Sequence, residues 1–189
     1  MTFSNPLKKQ TAFTLIELLV VLSVVGILAV IALPSFSKMI ERWRLVSTGN
    51  KLATTFANAR SDAIAQNTRV CIRYIAPNGT QWGIWAYRSS SALTACSGTA
   101  VPTATAVVSS VNSDQLRAVS FSNASTLLNN SFIDPTRGVW TASDSSVTNT
   151  LSVDLLSTNY TVRLSVSPLG RASLCVPSGS TSISGVSAC

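Results

Sequence analysis

Four cysteines, Cys71, Cys96, Cys175 and Cys189, are the side chains of this sequence best suited to covalent chemistry. They form an even set with no C-x-x-C pair, which argues for two disulfides in an oxidising compartment and against a zinc site. Three pairings are possible. Cys71–Cys96 with Cys175–Cys189 is favoured because each bridge closes a local loop, and a loop of the second kind is worth about 3 kcal/mol by chain entropy. A bridge at Cys189 would hold a tail that otherwise frays, so the C-terminal end is expected to carry a surface with a fixed shape.

Catalytic chemistry is poorly supplied. The 189 residues include no histidine, which removes the commonest general base and the commonest metal ligand. No nucleophile–base pair, paired acid set or phosphate loop emerges. Asp114, Asp134, Asp144 and Asp154 are scattered and read as turn or surface residues. The chain is therefore expected to be non-enzymatic and to need no cofactor or metal.

The most informative carboxylate is Glu17. It stands at the start of an apolar run that carries no charge from Leu18 to Leu33 and is preceded by Lys8 and Lys9. As a helix, Phe13 to Phe36 would be about 36 Å long at roughly 1.5 Å per residue, enough to cross a hydrocarbon core. Three kinds of membrane segment fit this length: a secretory signal peptide cut near Ala32, a plain anchor, and a prepilin leader with its helix. Glu17 counts against the first two. A carboxylate at the membrane centre costs roughly 2.5–3.5 kcal/mol on insertion scales and less near the interface, so keeping one there needs a reason.

The stretch Phe13-Thr14-Leu15-Ile16-Glu17, behind a short basic leader, resembles the start of type IV pilins and type II secretion pseudopilins. It departs only in having Ala12 where glycine is usual. The resemblance implies that a prepilin peptidase cuts between Ala12 and Phe13 on the cytoplasmic side and methylates the new amine of Phe13. In lipid a carboxylate lowers its cost by pairing with a cation, so Glu17 of one subunit can meet the Phe13 amine of the next and fix their register.

The elements that must position these groups follow in chain order. Pro34 should kink or loosen the apolar helix, and Gly26 weakens it by roughly 1 kcal/mol relative to alanine. Leu45, Gly49, Leu52, Phe56, Ala59 and Ala63 then recur at spacings of four and three, predicting one buried face to about Gln66, with Arg42, Arg44, Lys51 and Arg60 off that line. From Arg69 to Ala76 the period becomes two, with Val70, Ile72 and Tyr74 on one side. Pro77-Asn78-Gly79 supplies a turn before a strand at 82–87. Further strands are expected at 106–111, 116–122, 131–133, 138–141, 150–156, 160–167 and 171–176. Trp82, Trp85 and Trp140 are assigned to the core or its edge, and Trp43 to the helix near the membrane interface.

The reading is thus an α+β, type IV pilin-like fold. Residues 1–12 are a cleaved leader, 13–36 a transmembrane and assembly helix in which Phe13, Glu17 and Pro34 matter most, 37–67 an amphipathic helix packed on the head, and 68–189 an antiparallel β-rich head. Lys8 and Lys9 place the N-terminus in the cytoplasm, Lys38, Arg42 and Arg44 blunt that bias, and the cysteines decide for a single inner-membrane span with a periplasmic head.

Within this family, the run from Phe56-Ala57-Asn58-Ala59-Arg60-Ser61-Asp62-Ala63 to Asn67 and on into Arg69-Val70-Cys71-Ile72 resembles the FimT/FimU/GspH group of minor pilins and pseudopilins. Asp134-Pro135-Thr136-Arg137-Gly138 and Gly170-Arg171 look like later elements of that group. The resemblance implies a minor pilin that primes or caps the pilus, at its tip with other minor and major pilins, and supports twitching motility. A GspH-type pseudopilin of type II secretion is the alternative.

Some FimT-type pilins bind DNA for natural transformation, an activity associated with a Gly-Arg-Xaa-Arg motif. This chain reads Gly170-Arg171-Ala172-Ser173 and lacks the second arginine, so phosphate contacts would fall to Arg171 with Arg163 or Arg137. Removing Lys8 and Lys9 from the fourteen basic residues, and Glu17 from the seven acidic ones, leaves twelve against six, a positive head. A pilus-borne DNA receptor is a further alternative; the bland reading is that these arginines solubilise the head or face neighbouring subunits.

Overall fold

The computed structural model describes residues 14–75, 83–89, 96, 106–112, 119–122, 131–142 and 150–189. The chain divides into two compact units, Met1–Met39 and Ile40–Cys189. Helix α1, Leu15–Gln66, supplies the described part of the first and the opening of the second.

In the first unit the helix is apolar on every side. Its large apolar side chains from Leu15 to Phe36 are 49–77% exposed, and it is long and apolar enough to cross a membrane. The helix runs unbroken through Pro34, where sequence alone predicts a kink or loosening. A missing N–H there removes one bond without ending the helix.

The second unit shows what the spacing of four and three is for. Leu45, Leu52, Phe56, Ala59 and Ala63 are fully buried. At Gly49 a Cβ would stand 2.7 Å from Leu174 Cδ2, so glycine lets the last strand close on the helix. The helix stops where sequence predicts, at Gln66, for a local reason. Asn67 takes φ 50°, Thr68 N–H donates to Ala63 O at 3.1 Å, and Asn67 N–H donates to Ile64 O at 3.4 Å. These bonds satisfy the last carbonyls in the manner of a left-handed C-terminal cap.

Nine strands follow among the described residues: β1 Arg69–Ile75, β2 Gly83–Ser89, β3 Val107–Asn112, β4 Ser120–Ser122, β5 Ser131–Ile133, β6 Trp140–Ala142, β7 Leu151–Leu156, β8 Thr161–Val166 and β9 Ala172–Cys175. They form two sheets, ordered β3-β2-β1-β5-β6 and β4-β7-β8-β9, and every pairing is antiparallel. A long helix followed by an antiparallel head is the α+β fold of type IV pilins. The turn at Pro77-Asn78-Gly79 and the indole of Trp82 lie outside the described residues, although the β1–β2 register, Ile75 opposite Gly83, is that of a hairpin.

Two expectations need correction. The strand expected at 138–141 begins at Trp140, because Gly138 sits in the preceding turn at φ 62°. Of the strand expected at 116–122, residues 116–118 lie outside the described residues and Ser120–Ser122 form β4. Most instructive is β1, which does not alternate. Besides Val70 and Ile72, Cys71 is fully buried and Arg73 is 6% exposed. β1 is an inner strand with the main core on one face and a second cluster, Cys71, Tyr87, Cys96 and Phe132, on the other. The Arg73 guanidinium lies over the Tyr87 ring, 5.0 Å from its centroid, so a charge-bearing side chain is covered on the face opposite Val70 and Ile72. β7 and β8 alternate cleanly. Trp85 and Trp140 are buried, and Trp43 is exposed.

Candidate functional site

At the head of α1, Thr14 Oγ1 accepts a hydrogen bond from the Glu17 backbone N–H at 3.3 Å, and Leu18 N–H donates to Thr14 O at 3.2 Å. Thr14 is therefore the N-cap and Glu17 the third residue of the first turn, the spacing of a capping box. The helix dipole favours an anion at that place, and the Glu17 side chain is exposed. Sequence reasoning overlooked this local role, although Thr-x-x-Glu ahead of an apolar run announces it. Ala12 and Phe13, the expected processing residues, lie outside the described residues.

The cysteines form two bridges, Cys71–Cys96 with Cα atoms 5.4 Å apart and Cys175–Cys189 with Cα atoms 4.9 Å apart. The first belongs to the second core cluster. The second closes a tail that is also held by backbone bonds, Val176 N–H to Ser187 O and Cys189 N–H to Val176 O, and by Ile183, which is 5% exposed in the main core. The Ser/Gly tail thus has a built conformation.

The arginines considered for phosphate contact have unlike surroundings. Arg163 stands opposite Asp154 across β8 and β7 and forms a two-pronged pair with it, Nε to Oδ1 at 2.6 Å and Nη2 to Oδ2 at 2.9 Å. The bonds from Asp154 push the Arg163 guanidinium further toward the charged form. Arg137 is exposed, with a 4.0 Å contact to Asp134. The Asp134 carboxyl is held below its ordinary value, first by the Thr136 hydroxyl, against some burial. Arg171 is exposed and follows Gly170, which turns at φ 74°.

Arg60, absent from the expected set, ties two of these turns together. Its Nε donates to Gly138 O at 2.9 Å, and a Cβ at Gly170 would meet Arg60 Cδ at 2.9 Å. The helix therefore sends one guanidinium into the space left by two glycines, next to Arg137 and Arg171 in sequence. Arg163 is spoken for by Asp154, whereas Arg60 reaches the two turns whose sequences carry Arg137 and Arg171.

A second clip also escaped sequence reasoning. The Glu41 carboxylate accepts from Asn159 N at 2.7 Å and from Asn159 Nδ2 at 2.8 Å. Burial alone would raise its pKa, but hydrogen bonds from Asn159 and Ser157 hold it below the ordinary value. Arg42 lies over the Tyr160 ring at 5.5 Å. Consecutive helix residues thus hold the β7–β8 turn. No group of three or more metal-ligating side chains is found among the described residues.

A long apolar helix capped at Thr14, with one early carboxylate and an antiparallel head, defines a pilin-like architecture. Residues 7–33 match the family model of the prokaryotic N-terminal methylation motif, a prepilin-type motif that indicates a type IV pilin-like protein. That motif implies processing by a peptidase and assembly with other pilins, and the apolar helix is consistent with membrane anchoring and pilus incorporation. Type IV pilin-like proteins are structural proteins. No solved structure matches the chain significantly.

Proposed function

We propose that this chain is a minor type IV pilin of the FimT/FimU kind, which enters the pilus through its helix and primes or caps it in a tip complex with other minor pilins. The observation that carries the reading is the methylation motif over residues 7–33, continuous with an exposed apolar helix whose only charge up to Leu33 is Glu17. In this reading the peptidase cuts between Ala12 and Phe13 and methylates Phe13. The head lies in the periplasm, where both disulfides persist, and Glu17 meets the Phe13 amine of a neighbouring subunit in the filament. Intact-mass measurement of the membrane-extracted protein tests the processing: loss of residues 1–12 with one added methyl is expected, and an uncut chain overturns it. Glu17→Leu tests the pairing, since wild-type entry into filaments by that variant would sink it. A deletion strain that keeps its pili and twitching but fails to release exoproteins would move the chain to the secretion branch.

A second reading, a DNA receptor carried by the pilus, is supported by the approach of Arg60 to the turns that bear Arg137 and Arg171. Arg163 is a poorer phosphate ligand because Asp154 already takes both prongs of its guanidinium. Gel shift of full-length protein in nanodiscs at physiological salt decides it. Arg60→Glu and Arg171→Glu should each abolish a retained band, and no band at micromolar protein would end the reading.

A further inference from the structure

Between α1 and β3, within the second unit, lies a groove of about 600 Å³ that plays no part in anchoring, the disulfides or the arginine turns. Its size falls within the range of roughly 300–1,000 Å³ common for small-molecule sites. The helix wall presents Trp43, Ser47, Asn50 and Thr54, successive at three and four residues and so on one face; at roughly 1.5 Å per residue this stripe is about 16 Å long. β3 forms the other wall, with Ser109 and Ser110.

The floor is polar and already organised. Thr55 is 1% exposed, its hydroxyl donates to Lys51 O at 3.1 Å, and Ser109 Oγ lies 3.2 Å from it. The mouth is the opposite: the Trp43 indole is 73% exposed, while Trp85 and Trp140 are buried. Among the described lining residues there is one cation, Lys51, and no carboxylate.

This chemistry selects among ligand classes. A lipid tail or drug-like apolar molecule would cover the Asn50 amide and the Ser110 hydroxyl without giving them hydrogen bonds, which is costly. A polyanion would meet a single lysine. A pyranose chain satisfies both surfaces at once, because the C–H face of a sugar ring stacks on an open indole while its hydroxyls exchange hydrogen bonds with serine, threonine and asparagine side chains. We propose that the groove between α1 and β3 is an oligosaccharide-binding site, with Trp43 as its stacking platform and Asn50, Thr54 and Ser110 as its polar contacts.

The test uses full-length protein in lipid nanodiscs, since alkyl glycoside detergents would compete. Chitotriose and cellotriose serve as probes in saturation-transfer NMR, with a Ser/Thr pentapeptide as a probe of the other polar class. Transfer to the sugar-ring protons of at least one trisaccharide is expected. Trp43→Ala should weaken it roughly tenfold, whereas Trp43→Phe, which keeps an aromatic face, should weaken it only a few-fold. Asn50→Ala gives an independent loss at an exposed position where the fold is not at risk, and circular dichroism checks that each variant is intact. The proposal is overturned by no transfer to either sugar up to millimolar concentration, by transfer that Trp43→Ala leaves unchanged, or by binding of the pentapeptide alone.

Discussion

Leu15 to Phe36 and Leu45 to Ala63 belong to one helix, yet their apolar side chains have opposite surroundings. The first group is apolar all round, and its large apolar side chains stand open. The second is a single stripe with its members fully buried, and the other faces carry Asn50, Lys51, Asn58, Arg60 and Asp62. The same element therefore supplies the head with a core and leaves its first half to an apolar medium or to other helices. The difference lies in patterning, because a stripe demands a partner on one side and an unstriped cylinder demands one on all sides.

The largest effect should come from breaking the buried half. Phe56→Ala removes a fully buried ring that meets Trp140 edge-on at 5.6 Å between centroids, and should lower head stability by about 3–5 kcal/mol in urea unfolding followed by near-UV circular dichroism. Leu22→Ala should leave that transition within about 0.5 kcal/mol. Equal losses from the two substitutions would erase the distinction between the halves.

A smaller loss should follow from unpinning the tail. Cys175→Ser combined with Cys189→Ser opens a bridge of sequence separation 14 and should cost about 3 kcal/mol, with faster proteolysis of residues 177–188 as the local readout. An unchanged midpoint would mean that Ile183 and the Val176 backbone bonds hold the tail alone.

The smallest effect concerns Glu41, just past the division between the units. Glu41→Gln should cost about 1 kcal/mol, since the pair with Asn159 is charge-assisted but exposed. Its carboxyl is held below the ordinary value, so its contribution is complete above the unfolded carboxylate pKa, about 4.3, and is lost as pH falls through the folded value. In acid the wild type should approach the variant; a gap that persists there would assign the effect to packing.

Much of this was legible because it is periodic or local. The buried stripe reads directly from Leu45 to Ala63, the helix end falls at Gln66, and β7 and β8 lie within the strands expected at 150–156 and 160–167. What sequence reasoning missed depends on partners far along the chain. Arg60 lies off the apolar line and looks like surface until Gly138 and Gly170, 78 and 110 positions later, leave room for it. The alternation read from Arg69 to Ala76 left the other face of β1 unassigned, because nothing local reveals that Tyr87 covers Arg73. Arg163 resembled a free cation until the β7–β8 register put Asp154 opposite it. That last pairing had a signal, since opposite charges flank a short turn, but it needed the register to be read.

Gly138 and Gly170 belong to turns of different sheets, and the backbone N–H of Trp140 in one sheet donates to Pro168 O beside the other at 2.9 Å. Strand pairing alone would permit two sheets that melt independently. With Arg60 reaching both turns and a backbone bond crossing between them, opening one sheet withdraws partners from the other. The head therefore behaves as one cooperative folding unit, and damage at either turn is felt across both sheets.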